Sequence, residues 1–237
     1  MHIIRIPLLA FHFLIASFVG LAIGILRPFH PTNSRLCAKV YGIPGLAIIG
    51  LKRKTYNLEA IDQNRPCIIV ANHQSNWDLF VLGSTVPKRT VSLGKKSLKW
   101  VPLFGQLYWL AGNVMIDRGN NKRAMAAMDT TRDALINKNT SIWIFPEGTR
   151  NRGKNMLPFK KGAFVTAINA GVPIVPVVCS AYLEHFSLGK FDNGTAHVKA
   201  LDPISTEGLT VKDAAKLMDT CHQAMSQEIH ALNQLAR

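Results

Sequence analysis

Apolar positions fall along this chain in distinct regimes. Residues 6–26 (IPLLAFHFLIASFVGLAIGIL) form one hydrophobic run with no Lys, Arg, Asp or Glu. A helix rises about 1.5 Å per residue, so about 20 such residues cross roughly 30 Å of hydrocarbon and this run is long enough to span a bilayer. A cleaved signal peptide fits it less well, because the run outlasts an h-region and ends in Arg27-Pro28 instead of small residues. Residues 41–51 (YGIPGLAIIGL) make a shorter apolar piece, broken by Gly42, Pro44 and Gly45 and followed by Lys52, Arg53 and Lys54. That piece reads as an interfacial element against lipid headgroups, its basic triplet facing anionic lipid. An ordinary core strand accounts for it as well, and so does one arm of a helical hairpin with residues 6–26, which then lies in one leaflet instead of crossing the bilayer.

From residue 66 onward short apolar runs alternate with amphipathic stretches. Buried strands are predicted at 67–71, 90–93, 114–117, 141–145 and 174–180, with a plain strand at 195–201. Helices are predicted at 77–84, 97–110, 122–137 and 163–170. Near the C-terminus Ala214, Leu217, Met218, Cys221, Met225, Ile229 and Leu232 recur at three- and four-residue intervals, one face of a helix. Thr210 and Asp213 give it a start like a capping box. Strands alternating with helices predict an α/β fold, a mixed central sheet flanked by helices, behind a membrane-binding helical segment. The division expected is a membrane-anchoring segment over 1–55 and a catalytic domain over 56–237.

Composition narrows the function classes. At 48% hydrophobic and 18% charged, the 237-residue chain is excluded from the disordered class and is long enough for one substantial domain. Twenty-eight Lys and Arg against fourteen Asp and Glu give +14, which draws the protein toward an anionic partner such as nucleic acid, an acidic membrane surface or a phosphorylated substrate. Arg27, Arg35 and Lys39 after the apolar run outnumber Arg5 before it, and the positive-inside bias then puts the body in the cytoplasm. Cys37, Cys67, Cys179 and Cys221 are too scattered for a zinc site or a disulfide framework, so reduced, buried thiols and no metal are expected.

Two polar loops carry the candidate chemistry. In Asn72-His73-Gln74-Ser75-Asn76-Trp77-Asp78 the histidine leaves a strand and the aspartate enters the next helix, with Ser75 or Asn76 able to cap it. A carboxylate folded back onto one ring nitrogen fixes the tautomer and leaves the other nitrogen free to take a proton. The spacing alone carries little, since His197 and Asp202 repeat it in a plain strand. Phe145-Pro146-Glu147-Gly148-Thr149-Arg150 follows another strand. There Gly148 permits close approach, Arg150 offers a fork for phosphate, and Glu147 is able to accept from a hydroxyl. Arg152, Lys154, Lys160 and Lys161 make this the densest basic stretch. Two such loops, each behind a buried strand, favour one shared site at a sheet edge. Asp117-Arg118 ends a further strand, and Lys95 in Gly94-Lys95-Lys96-Ser97 stands near a predicted helix start that suits an anion.

NHQSNWD, GKKSLKWVPLFG, IDR, FPEGTR and VPIVPV occur in this order, and together they resemble the 1-acylglycerol-3-phosphate acyltransferases of the glycerolipid acyltransferase family. The resemblance runs from about residue 66 to residue 178. It implies an acyltransferase of the glycerol-3-phosphate acyltransferase-like fold, with His73 as general base and Asp78 as its orienting partner. Glu147, Gly148, Thr149 and Arg150 fall in the family's acceptor-binding block, with Arg150 on the phosphate, while Arg118 and Lys95 match its further arginine and lysine. Residues 172–177 are treated as scaffold. The implied reaction moves an acyl group directly from acyl carrier protein or coenzyme A to the sn-2 hydroxyl of lysophosphatidic acid, with no cofactor beyond that donor. The implied setting is the cytoplasmic side of a bacterial inner membrane, with membrane lipids as partners and nucleic acid not among them. Rival readings are acylation of another lysophospholipid, a membrane-bound phosphohydrolase, and a non-catalytic basic module tethered to the membrane.

Overall fold

A computed structural model of the chain describes residues 1–117, 131 and 135–235. Seven strands form one sheet: β1 (Lys52–Tyr56), β2 (Ile68–Ala71), β3 (Thr90–Lys95), β4 (Val114–Ile116), β5 (Ser141–Ile144), β6 (Ile174–Cys179) and β7 (Thr195–Ala200). Their spatial order is β1-β7-β6-β2-β5-β3-β4. Every pairing is parallel except β6 with β7, so the sheet is mixed, as the alternation predicted.

Strands β2, β5 and β6 are buried along their whole length, which is why they read as continuous apolar runs. Alternate residues serve opposite faces. Ile68, Val70, Ile142 and Ile174 pack with helices α6 (Gly162–Ala170) and α7 (Ala214–Leu235), through Phe164, Leu217, Cys221 and Met225. Ile69, Ala71, Trp143, Val175 and Val177 pack on the other face with α2 (Asn33–Ile49), α3 (Glu59–Gln63) and α4 (Asp78–Val81), through Leu46, Ile49, Ile61, Phe80 and Val81. Fully burying side chains of this size contributes about 1.5–3 kcal/mol each. Helix α7 has the capping box expected of Thr210 and Asp213, formed one 3-10 turn ahead of the helix proper.

The N-terminal region is helical as expected, with differences in detail. Helix α1 (His2–Leu26) is the apolar run, and it is long and apolar enough to cross a membrane. Residues 41–49 are helical, which excludes the strand reading. They are the second half of α2, which contains Pro44 and stops where Gly50 turns left-handed at φ 67°. Gly42 and Gly45 read as breakers because their second property, small size, has no local signature. A Cβ at Gly45 would stand 2.5 Å from the Phe80 ring, and one at Gly42 would stand 2.7 Å from Ser84 Cβ. The basic triplet does not share one face, since side chains alternate along a strand. It is the start of β1, so the sheet begins ahead of the 55/56 boundary. Lys52 pairs with Asp192 at 2.8 Å, and the half-buried Arg53 donates to Val81 O and Ser84 Oγ.

Two predicted helices are shorter than expected. The stretch 77–84 is one turn of α4 followed by a 3-10 turn at Gly83–Thr85. The stretch 97–110 is split into a 3-10 turn at Lys96–Trp100 and α5 (Phe104–Leu110), because Pro102 and Leu103, the latter at φ 62°, break the chain between them. Of the helix predicted over 122–137, residues 131 and 135–137 are helical and the remainder lies outside the described residues, as does Arg118.

Candidate active site

Strands β2, β5, β3 and β4 lie side by side and parallel, so their C-terminal ends open on one edge of the sheet. In open α/β sheets this edge is where ligands are received. The lateral order sets His73 after β2 beside Glu147–Arg150 after β5, with Lys95 at the end of β3 next in line. At about 4.8 Å per strand, Lys95 is about 10 Å across the sheet from the β2 exit.

The loop after β2 is held from below. Asn72 donates to Cys179 O at 2.9 Å and accepts from Cys179 N at 2.8 Å, extending the β2–β6 pairing by side chain. Gln74 Nε2 donates to Ser180 O at 2.8 Å. No side chain caps α4 at Trp77, but Ser75 Oγ accepts the Trp77 N–H at 2.9 Å in the turn leading into it. The Asp78 carboxylate itself turns back, taking the backbone N–H of Gln74 at 2.7 Å and of Ser75 at 3.0 Å on Oδ2. The same oxygen lies 2.6 Å from His73 Nδ1, so the predicted pair is formed. A carboxylate on Nδ1 puts the ring proton there and leaves Nε2 as the basic nitrogen. Asp78 is buried at 3% exposure, while the His73 side chain keeps 18%. Phe145 stacks on the imidazole at 4.1 Å between ring centroids.

Glu147 does something other than accept a substrate hydroxyl. It is buried, and its oxygens are taken by the backbone N–H groups of His73 (Oε1, 2.7 Å) and Leu157 (Oε2, 2.8 Å). Burial pushes its carboxyl above the ordinary range, and these two hydrogen bonds pull it back. Asn151 N donates to His73 O at 2.8 Å and Arg152 N to Gln74 O at 3.1 Å, so three hydrogen bonds join the two motif loops. Arg150 and Thr149 stand exposed on that joined surface.

Gly148, at φ 72°, is needed for a reason the sequence hid. A Cβ there would meet Lys160 Cε at 2.8 Å and Nζ at 3.0 Å, so it is the Lys160 stem, from beyond the motif, that covers this glycine. Lys95 is the last residue of β3 and precedes a five-residue 3-10 turn, not a helix start. It lines a cavity of about 310 Å³ with Lys96, Lys99, Trp100 and Asp117.

The acyltransferase family profile matches residues 52–180, the sheet from β1 to just past the end of β6. The chain belongs to the acyltransferase family. This acyltransferase is 39% identical to the 1-acyl-sn-glycerol-3-phosphate acyltransferase of Haemophilus influenzae, over 98% of its own length and 96% of that relative's. It is 36% identical to the enzyme of the same name from Escherichia coli, over 98% and 95%. The crystal structure of the 1-acyl-sn-glycerophosphate (LPA) acyltransferase PlsC from Thermotoga maritima superposes with a TM-score of 0.74 at 23% identity, covering 98% of each chain, and so shares its fold.

One residue outside the predicted set joins the candidate site. Tyr182, just past β6, donates its hydroxyl to Asp78 Oδ1 at 2.5 Å and is 2.9 Å from Ser75 Oγ. Its one sequence signal was position, since it leaves the strand that neighbours β2. Among the described residues no group of His, Cys, Asp and Glu is close enough to hold a metal ion.

Proposed function

We propose that this acyltransferase moves a fatty acyl group from an acyl thioester to the sn-2 hydroxyl of 1-acyl-sn-glycerol 3-phosphate, forming phosphatidic acid. The observation that carries the reading is the imidazole whose Nδ1 is held by Asp78 at 2.6 Å, in a loop hydrogen-bonded to the one bearing Arg150. The substrate hydroxyl oxygen attacks the thioester carbonyl while His73 Nε2 takes its proton. The tetrahedral intermediate collapses with cleavage of the carbon–sulfur bond, and the proton passes from the imidazolium to the leaving thiolate. Direct transfer is favoured by the state of the alternative nucleophiles: Cys37, Cys67, Cys179 and Cys221 are all buried, and burial pushes the Cys67 thiol up to about 11. Arg150 grips the acceptor phosphate with its planar fork, and Lys95 adds positive charge along the same edge. The donor is acyl-acyl carrier protein or acyl-coenzyme A. Both are anionic, and a +14 chain would recruit either.

The proposed setting is the cytoplasmic face of a bacterial inner membrane. Helix α1 presents Phe11, Leu14, Ile15 and Phe18 outward, while Ser17 and Gly20 turn inward onto Tyr41, Cys37 and Leu107. Its N-terminal end is fastened as well, since the buried Arg5 donates to Leu188 O and Phe191 O. A helix attached to the body from Arg5 to Gly24, over about 29 Å, favours lying in one leaflet over crossing the bilayer.

Purified protein, given an acyl thioester and lysophosphatidic acid, glycerol 3-phosphate and lysophosphatidylcholine in competition, should acylate lysophosphatidic acid first. Preference for lysophosphatidylcholine would reassign the acceptor, and phosphate release without thioester consumption would sink acyl transfer altogether. Arg150→Lys should raise the acceptor KM; a change confined to the donor's kinetics would remove Arg150 from the phosphate.

A further inference from the structure

We propose that Tyr182 is a positioning residue for the reaction, the end of a hydroxyl relay from Ser75 that sets how strongly Asp78 holds the His73 imidazole. This deepens the reading of His73 as base and rests on it.

Counting protons fixes the direction of the relay. Asp78 is an acceptor on both oxygens: Oδ2 takes His73 Nδ1–H and the N–H groups of Gln74 and Ser75, and Oδ1 takes the Tyr182 hydroxyl at 2.5 Å. The single Tyr182 proton is spent on Asp78, so the 2.9 Å contact with Ser75 has the serine as donor. Ser75 Oγ in turn accepts Trp77 N–H at 2.9 Å. Each member both gives and receives, and hydrogen bonds in such a chain strengthen one another. Burial and the neighbouring Asp78 push the Tyr182 phenol far above its ordinary value, so it stays a donor throughout the working range.

Tyr182 is buried at 5% exposure, and its hydroxyl bonds Asp78 and Ser75, not the imidazole. It acts on charge distribution in the carboxylate. A donor on Oδ1 draws negative charge away from Oδ2, which weakens the pull of Asp78 on the imidazolium formed when His73 takes the substrate proton. It also prevents the carboxylate from rotating away from Nδ1, since both oxygens are anchored. The chain places this group well: β6 neighbours β2, so a residue just past β6 reaches the first turn of the helix that follows β2.

The test is Tyr182→Phe, which removes one oxygen, with Tyr56→Phe as control because Tyr56 makes a similar bond to His197, at 2.8 Å, on the edge strands. For Tyr182→Phe, kcat should fall about tenfold, acceptor KM should stay within about twofold, and the acid limb of kcat/KM against pH should move up by about half a unit. Tyr56→Phe should leave all three unchanged. Incorporation of 3-fluorotyrosine at position 182 gives a stronger donor of nearly the same size, and should move the limb to lower pH. That variant carries the test if Tyr182→Phe does not fold. A folded Tyr182→Phe with wild-type kcat and an unmoved limb would overturn the inference, as would an effect confined to acceptor KM or a fluorotyrosine limb that stays in place. His73→Ala separates the two levels. If it retains turnover, the base assignment fails; if it is inactive while Tyr182→Phe behaves as wild type, only the relay fails.

Discussion

Glu147 Oε1 accepts the backbone N–H of His73 at 2.7 Å, while its other oxygen accepts the N–H of Leu157 at 2.8 Å. A buried carboxylate of one motif therefore holds the backbone of the other and the chain returning toward α6. Replacing it by alanine leaves two partly buried donors without their partner, at up to about 1–3 kcal/mol each. Glu147→Ala should lower the melting temperature by several degrees and reduce kcat by well over tenfold, while Glu147→Gln, which keeps one acceptor, should fall between. Thermal unfolding and initial rates measure both. A Glu147→Ala protein that melts as wild type and loses only acceptor affinity would return Glu147 to the substrate.

His73 and His197 are internal controls for each other. His73→Ala should abolish thioester consumption without unfolding the protein, and His197→Ala should leave turnover nearly intact, since His197 bonds Tyr56 on the β1–β7 edge. Burial first, then Lys54, lowers the His197 pKa below its ordinary 6.5. A lowered histidine pKa stabilises the fold fully above the unfolded value and progressively less as pH falls through the folded one. Wild type should accordingly lose more stability than His197→Ala between pH 7.5 and 5, read as melting temperature against pH. Parallel curves would exclude His197 as the cause.

Gly148 combines a left-handed φ of 72° with the Lys160 stem overhead. Gly148→Ala should cost about 1–2 kcal/mol from backbone strain alone, with a further steric share. Adding Lys160→Ala should recover the steric share and leave the strain. Full recovery of stability and rate in the double variant would mean that the backbone conformation contributes nothing.

On α1, Phe11 and Phe18 are 61% and 59% exposed. Phe11→Asp with Phe18→Asp should release the protein from anionic lipid vesicles in flotation while leaving its circular dichroism melt within a few degrees. Unchanged flotation would remove this face of α1 from the membrane surface.

Most of the sheet was legible because fully buried strands leave a residue-level trace. Runs such as Ile68–Ala71 and Ile174–Cys179 have no polar position to spare, since both faces are covered. The His73–Asp78 pair was legible for a similar reason, as a tight loop brings together groups five positions apart. The second half of α2 was only half legible, standing open between a strand and one arm of a helical hairpin. Gly42 and Gly45 are there for the close approach of Ser84 and Phe80, and a contact between distant segments leaves no periodicity behind.

The sequence by itself determined which strands are buried, which two loops carry polar chemistry, and that the N-terminal run is apolar enough for lipid. Only the tertiary structure decided what each polar group is bonded to. It turned Glu147 inward to the His73 backbone, brought Lys160 over Gly148, and delivered Tyr182 to Asp78 from 104 residues away. The physical reason is one of range. Burial and helix or strand period act through neighbours in sequence, whereas a hydrogen bond is satisfied by whichever donor the strand order brings within about 3 Å.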